Sequence, residues 1–407
     1  ENCRRKRLQI AFSMRVSAFK IFVFSIIESF IKKRKRGAEK MEGISILSIV
    51  QANQANIPLL EALRGLPGVG QIMPFILWKP LLALLLVPGF LGLTLVILLM
   101  VWIERKLTAR IQWRVGPREV FKYLGGLIQP LADGMRYFFQ ETIVHKDAHR
   151  PYFLQFPILA FIPVLLPLLF ISAGELVAIR TDFGVQIAVA LISLIPIVIL
   201  GLGWASNSRL AFIGTVREAF MYFAYEIPFI ICVLAMLILY GTGDTYEIQR
   251  HAGAILNPVA AFAFAIAMVM ATSRLPFEIP EADQELAFGP MVEYSGIVFG
   301  LVMTLAYEKA YVMAALMTDL FFMGGSGPEI PMLGDLSGAI WFFIKVLIII
   351  VVVFSLRAIY PRYRIDQALR IGWTFSLALS LLALAISLCL VAFGIAPSVT
   401  AAEVVAP

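Results

Sequence analysis

Little in this chain is equipped for redox or metal chemistry. It has three cysteines and three histidines in 407 residues. Cys3, Cys232 and Cys389 are far apart, so no thiolate cluster is available for zinc or an iron–sulfur centre. His145 and His149 sit at an i, i+4 spacing beside Asp147, but no third good ligand is near, and interfacial or partner contacts are the better reading. No phosphate-cradling Gly-rich loop precedes a soluble helix, so neither a nucleotide nor a fuel site is visible. Charge is scarce too. Only 15% of residues are charged and 60% are hydrophobic, against about 25% and about 45–50% in a soluble domain. No internal repeat appears, so the inverted-repeat layout of many secondary transporters is not visible.

What the chain has is long apolar runs. Residues 81–103, 151–174, 183–208, 252–273 and 371–400 are uncharged. Each meets the roughly 20 residues needed to cross hydrocarbon. Residues 219–242 add a run with one charge, Glu226, and 336–356 another with one, Lys345. Residues 294–322 carry Glu308, Lys309 and Asp319 and read as one long or tilted helix. The expectation is an all-α polytopic membrane protein of eight transmembrane helices, since helices satisfy their own backbone in lipid and barrel-type alternation is absent.

Cations orient it. Arg105, Lys106, Arg110, Arg114, Arg118, Lys122, Arg136, Lys146 and Arg150 crowd the first loop, and Arg357, Arg362, Arg364 and Arg370 the last, whereas the alternate loops offer only Arg180 and Arg250. Loops 104–150, 206–218, 274–293 and 357–370 are therefore expected to be cytoplasmic, with the chain in the cell inner (plasma) membrane. The basic patch also suits anionic lipid headgroups. Residues 1–40 are basic beyond what an exterior tail should be, and the apolar stretch 21–30 is too short to span. We read 1–40 as extraneous or removed, with the natural protein starting near Met41. Residues 41–80 read as an interfacial amphipathic segment, 81–400 as the membrane domain and 401–407 as a tail.

An ionisable residue inside a span is a functional hypothesis by default, which singles out Glu226, Glu308 and Lys345. The bland alternative for each is a structural ion pair, Glu308 with Lys345 being one. The loop SRLPFEIPEADQELAFGPMVEY, residues 273–294, is the other anomaly, with five carboxylates against Arg274. A short helix over 280–288, with Pro280 in its first turn, would align Glu281 and Glu285 on one face, with Glu278 near the same line and Asp283 elsewhere. Stacked like charges couple their protonation. A solvated acidic face would do this harmlessly, but Phe277, Leu286 and Phe288 argue for partial burial.

The motifs WIERK (102–106), QWRVGP (112–117), GGLIQPLADGMRYFFQE (125–141), GWASNS (203–208), IGTVREAFMYFAYEIP (213–228), RLPFEIPEADQEL (274–286), GPMVEYSG (289–296) and LRAIYPRYRIDQ (356–367) follow in that order. So arranged, they closely resemble the NuoH family, the membrane subunit that forms the quinone chamber of respiratory complex I (NADH:quinone oxidoreductase). The resemblance covers roughly residues 81–390. It implies that Glu104, Arg105, Arg114, Asp133 and Arg136, then Arg274, Phe277, Glu278 and the YPR arginine Arg362, line the chamber and its mouth. It implies a proton-transfer line of Glu281, Asp283 and Glu285, the SYE-type Glu226 and the GALR-type Arg217. No catalytic or metal-ligating residue and no bound cofactor is implied. Quinone would be the substrate, and the iron–sulfur clusters would belong to peripheral-arm partners, alongside small membrane subunits, antiporter-like subunits and lipid. No nucleic acid is implied.

Two acids of the family pattern are missing. Ala271 and Ala306 stand where glutamates are usual, while Glu218 is an acid where the common pattern has none. Glu308 lies two residues beyond Ala306, about 200° around a helix. We read Glu218 and Glu308 as candidate replacements. Related membrane-bound hydrogenases and deazaflavin-oxidising complexes share such a component and stay open as alternatives, as does a stand-alone ion transporter or channel.

Overall fold

The computed structural model describes residues 55–57, 78–85, 88–120, 123 and 125–395. The readings of residues 1–40 and 401–407 lie outside the described residues, as does all of 41–80 except 55–57 and 78–80. Every regular element among the described residues is helical, and the chain is a polytopic membrane protein. Its principal helices are α1 (Lys79–Leu85), α2 (Phe90–Ile111), α3 (Gln129–Phe139), α4 (Arg150–Leu159), α5 (Gly184–Ile192), α6 (Ile195–Ser206), α7 (Arg209–Tyr240), α8 (Pro258–Ala271), α9 (Gly296–Phe321), α10 (Leu336–Ile359) and α11 (Leu377–Ala392).

Seven helical stretches among the described residues are long and apolar enough to cross a membrane. The expected single long helix over 294–322 is α9. The eighth expected span, 252–273, is shorter than its apolar run suggests. It is broken into one turn, Gly253–Leu256, and the 14-residue α8. The reason is local: Pro258 has no N–H to continue the preceding turn, and the Asn257 side chain caps the new helix by accepting the Ala260 N–H at 3.0 Å. Fourteen residues rise only about 21 Å, so this stretch is the short element of the bundle.

The bundle is built around α7 and α9. Of their most apolar windows 56% is buried inside the protein, against 22% for the final stretch Ile365–Ala392. Helix α7 packs on α6, α8 and α11. Helix α9 packs on α2, α8 and α10. The outer helices turn Leu91, Leu95, Ile348 and Leu381 outward, the apolar surface that lipid requires. Both central helices carry the intramembrane acids, so charge is concentrated where protein rather than lipid surrounds it.

One end of α7 is seated on the acidic loop. A Cβ on Gly214 would come within 2.9 Å of the Gly289 Cα, and Gly289 itself adopts φ +52° beside the Pro280 carbonyl. Only glycines fit this crossing. It fixes the loop against the helix that carries Arg217, Glu218 and Glu226.

Candidate functional site

The acidic loop is less helical than expected. Helix survives only as one turn, Asp283–Leu286. It stops because Ala287 and Phe288 both take positive φ, leading into Gly289. The expected face of stacked carboxylates therefore does not form. Each acid turns to its own surroundings. Glu278 lies 3.6 Å from Arg362. Glu285 is ion-paired and hydrogen-bonded with Arg217. Glu281 lines a small cavity on α7 and α9. The Asp283 side chain lies outside what is described. Phe277 and Leu286 are buried as expected, but Phe288 is 45% exposed, because the left-handed turn carries it outward. Arg217 holds the Glu285 carboxyl below the ordinary range through its hydrogen bond and charge.

Beneath the loop lies a second group. Glu104, near the end of α2, is 2% exposed. It is ion-paired with Arg357 of α10 and accepts the Tyr307 hydroxyl at 2.6 Å. The buried Arg274 places its guanidinium 4.4 Å above the Tyr307 ring, a cation–π contact. Phe277 packs on Tyr363 with ring centroids 5.5 Å apart, and the Tyr363 N–H donates to the Pro276 carbonyl at 2.9 Å. Thus three helices and the loop converge on Tyr307. The resemblance assigns Glu104, Arg274 and Phe277 to the chamber but gives no role to Tyr307 or to Arg357. The neighbouring AYEK and LRAIYPR strings are the available signal for those two.

The remaining first-loop residues stand apart from this core. Arg105 pairs with Asp133 on exposed surface, and Gln129 also donates to Asp133 at 3.2 Å. Arg114 is exposed and donates to the Gln112 side chain at 2.8 Å. Arg136 has its guanidinium 5.7 Å from the Tyr137 ring. Arg110, Arg114 and Arg118, with Trp102 and Lys106, line an open groove of about 560 Å³ along α2. Its walls combine apolar surface and fixed positive charge.

A third group occupies the α7–α9 contact. Glu218 is buried, 3.6 Å from Lys309, and accepts the Ser273 hydroxyl at 3.2 Å on both oxygens. The Lys309 ammonium also donates to the Tyr225 hydroxyl at 3.0 Å. A cavity of about 40 Å³ lies among Glu218, Lys309, Ser273, Glu281 and Ala306. That is room for a water or two, with enough polar partners to hold them. Glu218 therefore stands beside Ala306, one of the two positions that lack their usual acid. Two turns further along α7, Glu226 accepts the Ser193 hydroxyl. The backbone carbonyl of Ser193 in turn takes the Tyr222 hydroxyl at 2.9 Å.

The supposed pairing of Glu308 with Lys345 is not made. Lys345 instead donates to the Phe322, Gly324 and Ser326 carbonyls at 2.8–2.9 Å. Glu308 is 3% exposed, and its Oε2 has no hydrogen-bond partner among the described residues. The two histidines are engaged elsewhere. His149 stacks on Trp204 at 4.6 Å, and His145 lies 4.0 Å from Glu293. Among the described residues no cluster of three or more His, Cys, Asp or Glu gathers.

Residues 83–388 match the NADH dehydrogenase family. Two relatives from strains of Dehalococcoides mccartyi, both NuoH-type components of NADH-quinone oxidoreductase, are 34% and 32% identical over 295 residues, 72% of this chain and 81% of each relative. Among solved structures, a chain of the membrane-bound sulfane sulfur reductase, an archaeal respiratory membrane complex, superposes with a TM-score of 0.64 at 26% identity. The match covers 76% of this chain and 98% of that one. A family match that runs from before α2 into α11 leaves one conclusion: the chain belongs to the NADH dehydrogenase family, among the NuoH homologues of NADH-quinone oxidoreductase.

Proposed function

We propose that this chain is the membrane subunit of a multi-subunit, complex I-like oxidoreductase, forming the quinone chamber and coupling quinone reduction to proton transfer along intramembrane carboxylates. The observation that carries this reading is the contact of the acidic loop with both the Glu104–Arg357–Tyr307–Arg274 group and the Glu218–Lys309 cavity. One short segment, 274–281, touches a buried cationic and hydroxyl-bearing group and a small, mostly apolar cavity to which Glu218 of α7 and Lys309 of α9 bring polar groups.

Reducing a quinone to a quinol takes two electrons and two protons. The electrons come from partner subunits with iron–sulfur centres. This chain supplies the shelter and the charge response. Negative charge developing beside Arg274 and Arg357 competes with Glu104 for the Arg357 guanidinium. Glu278 and Glu285 are held by Arg362 and Arg217, so a shift of either arginine moves the loop. Moving Glu281 relative to the cavity changes its separation from Glu218, and water there carries the proton onward toward Glu226. A local charge event thus biases a loop that reaches the membrane interior. The open groove along α2, lined by Arg110, Arg114 and Arg118, serves entry of the carrier, and the exposed Arg105–Asp133 pair and Arg136 serve docking of the peripheral arm. The cation-rich loops lie on the cytoplasmic side.

A second reading keeps the architecture and changes the electron acceptor. The solved relative belongs to a complex named for sulfane sulfur, and Glu218 with Lys309 departs from the usual acid pattern. Two experiments separate the readings. Purification from native membranes should co-isolate iron–sulfur and antiporter-like subunits; recovery of the chain alone with transport activity would favour a stand-alone transporter. A photoreactive quinone analogue should then crosslink within 104–140 or 274–288. An active complex that excludes the analogue from both segments would overturn the quinone reading.

A further inference from the structure

Helix α2 changes character along its length. From Phe90 to Ile103 it is uncharged, and beyond that it carries Glu104, Arg105, Lys106 and Arg110. Trp102 and Ile103 therefore mark the edge of the hydrocarbon on this helix, a depth that suits a tryptophan. Lys106 lies one turn beyond Trp102 and Arg110 two turns, on the same face. The rise from Trp102 to Lys106 is about 6 Å, which keeps Lys106 within a headgroup layer about 5–8 Å thick. Helical side chains lean toward the N-terminus of their helix, so both cations point back toward the apolar half.

Two more cations are folded onto that face. After α2 the chain turns at Trp113, with φ +54°, and the Arg114 N–H returns to the Ala109 carbonyl at 2.8 Å. Gly116 then lies against the Lys106 side chain, where a Cβ would come within 3.0 Å of Lys106 Cδ. Trp102 donates its indole N–H to the Gly125 carbonyl at 3.2 Å, which ties the later part of the loop to α2. The result is the open groove of about 560 Å³, with Lys106, Arg110, Arg114 and Arg118 at one side and Ile103 and Val351 of α10 in its apolar wall.

No carboxylate lines this groove. Of the acids nearby, Glu104 is committed to Arg357 and Asp133 to Arg105. Glu119 borders the adjoining pocket, which shares Arg114 and Arg118, so positive charge stays in excess. Arg114 donates only to a neutral partner, the Gln112 side chain. Four like charges brought together by the folded-back loop repel one another unless an anion sits among them. An uncharged carrier moving along the apolar wall leaves them without a counter-ion. A soluble anion would satisfy the cations but has no use for the wall. A phospholipid supplies both parts: a phosphate at headgroup depth, and acyl chains that continue onto α10, where Ile348 and Val352 turn outward at 59% and 55% exposure.

We propose that the groove between α2 and α10 binds an anionic phospholipid, its phosphate among Lys106, Arg110, Arg114 and Arg118 and an acyl chain against Ile103 and Val351. The phosphate bridges the cations of the helix to those of the loop, and so holds the first loop against α2.

The test uses the assembled complex in phosphatidylcholine nanodiscs that contain a trace of phosphatidylglycerol with a photoreactive acyl chain. After illumination, peptide mass spectrometry should find the adduct on the peptides that hold Ile103 or Val351. Unlabelled phosphatidylglycerol should compete it away, and zwitterionic phosphatidylethanolamine should not. Lys106→Gln/Arg110→Gln should lower this labelling about thirtyfold, while labelling of α11, where Leu381 turns outward, should not change. Equal competition by phosphatidylethanolamine marks ordinary annular lipid and overturns the proposal. Inorganic phosphate that competes as well as phosphatidylglycerol marks a soluble-anion site and also overturns it, as does labelling that appears only once partner subunits are stripped away. Should the double variant fail to assemble, the competition on the wild type decides alone. The crosslink needs neither turnover nor quinone, so failure of the functional proposal leaves its outcome readable.

Discussion

Glu104 and Glu308 are a matched pair with opposite fates. Both are buried, at 2% and 3% exposure, and both meet the same turn of α9. Glu104 is gripped by Arg357 and by the hydroxyl of Tyr307. Glu308, the very next residue after Tyr307, leaves Oε2 without a partner among the described residues. Removing a buried carboxylate that is held by an arginine and a hydroxyl leaves an uncompensated charge. A buried carboxyl lacking a partner carries a desolvation cost that nothing in its surroundings offsets. Burial alone therefore does not separate the two acids; the countercharge does, since Glu104 is ion-paired with Arg357 and Glu308 has no ion pair among the described residues.

The largest effect is expected from Glu104→Ala. Arg357 cannot shed its proton, so it is stranded, at a cost of about 3–5 kcal/mol. Thermal unfolding of the purified complex should show this loss, and Glu104→Gln, which still accepts from Tyr307, should recover part of it. Lys309→Met should cost less than Glu104→Ala, because Glu218 keeps the Ser273 hydroxyl as a donor on both oxygens. In the double variant Glu218→Gln/Lys309→Met the two costs should be non-additive, by about 0.5–3 kcal/mol; strict additivity would mean that the 3.6 Å pair contributes nothing. Glu308→Gln should hardly move the melting curve, by about 1 kcal/mol or less, yet lower proton pumping per electron pair in the assembled complex. Unchanged pumping would make Glu308 a structural residue only.

The smallest effect is a pH dependence at the loop surface. The Glu285 carboxyl is depressed in the folded protein by Arg217. Its contribution is therefore fully present above the unfolded value, about pH 4.3, and is lost as pH falls through the lower folded value. An exposed pair of this kind is worth about 0–1 kcal/mol. Proteolysis within 280–290 should rise on that acid side, and Arg217→Gln should remove the step.

The spans were legible because each needs only an uninterrupted apolar run, and Gly296–Phe321 forms one helix despite three charges. The shortness of α8 is written in Asn257–Pro258 but is masked by the apolar run around it. The acidic loop misleads because i, i+4 spacing aligns side chains only if the helix persists, and two left-handed residues end it after one turn. Glu218 and Lys309 are both visible as charges, yet their pairing joins α7 to α9, which spacing along one helix cannot reveal. Lys345 looks like a partner for Glu308 by depth, but a flexible amine is drawn to carbonyls exposed by the glycine-rich turn at 322–326.

By itself, then, the amino-acid order determined what must lie in the membrane, which loops carry cations and which acids sit at unusual depth, because these depend on local hydrophobicity and charge. Tertiary structure alone decided that Glu104 pairs with Arg357, that Glu218 pairs with Lys309, and that Lys345 turns to backbone carbonyls rather than to Glu308. Hydrogen-bond partners across a helical bundle are set by rotation, crossing and glycine contacts between segments up to 279 residues apart, as at Asn56 and Asp335, and no local pattern encodes them.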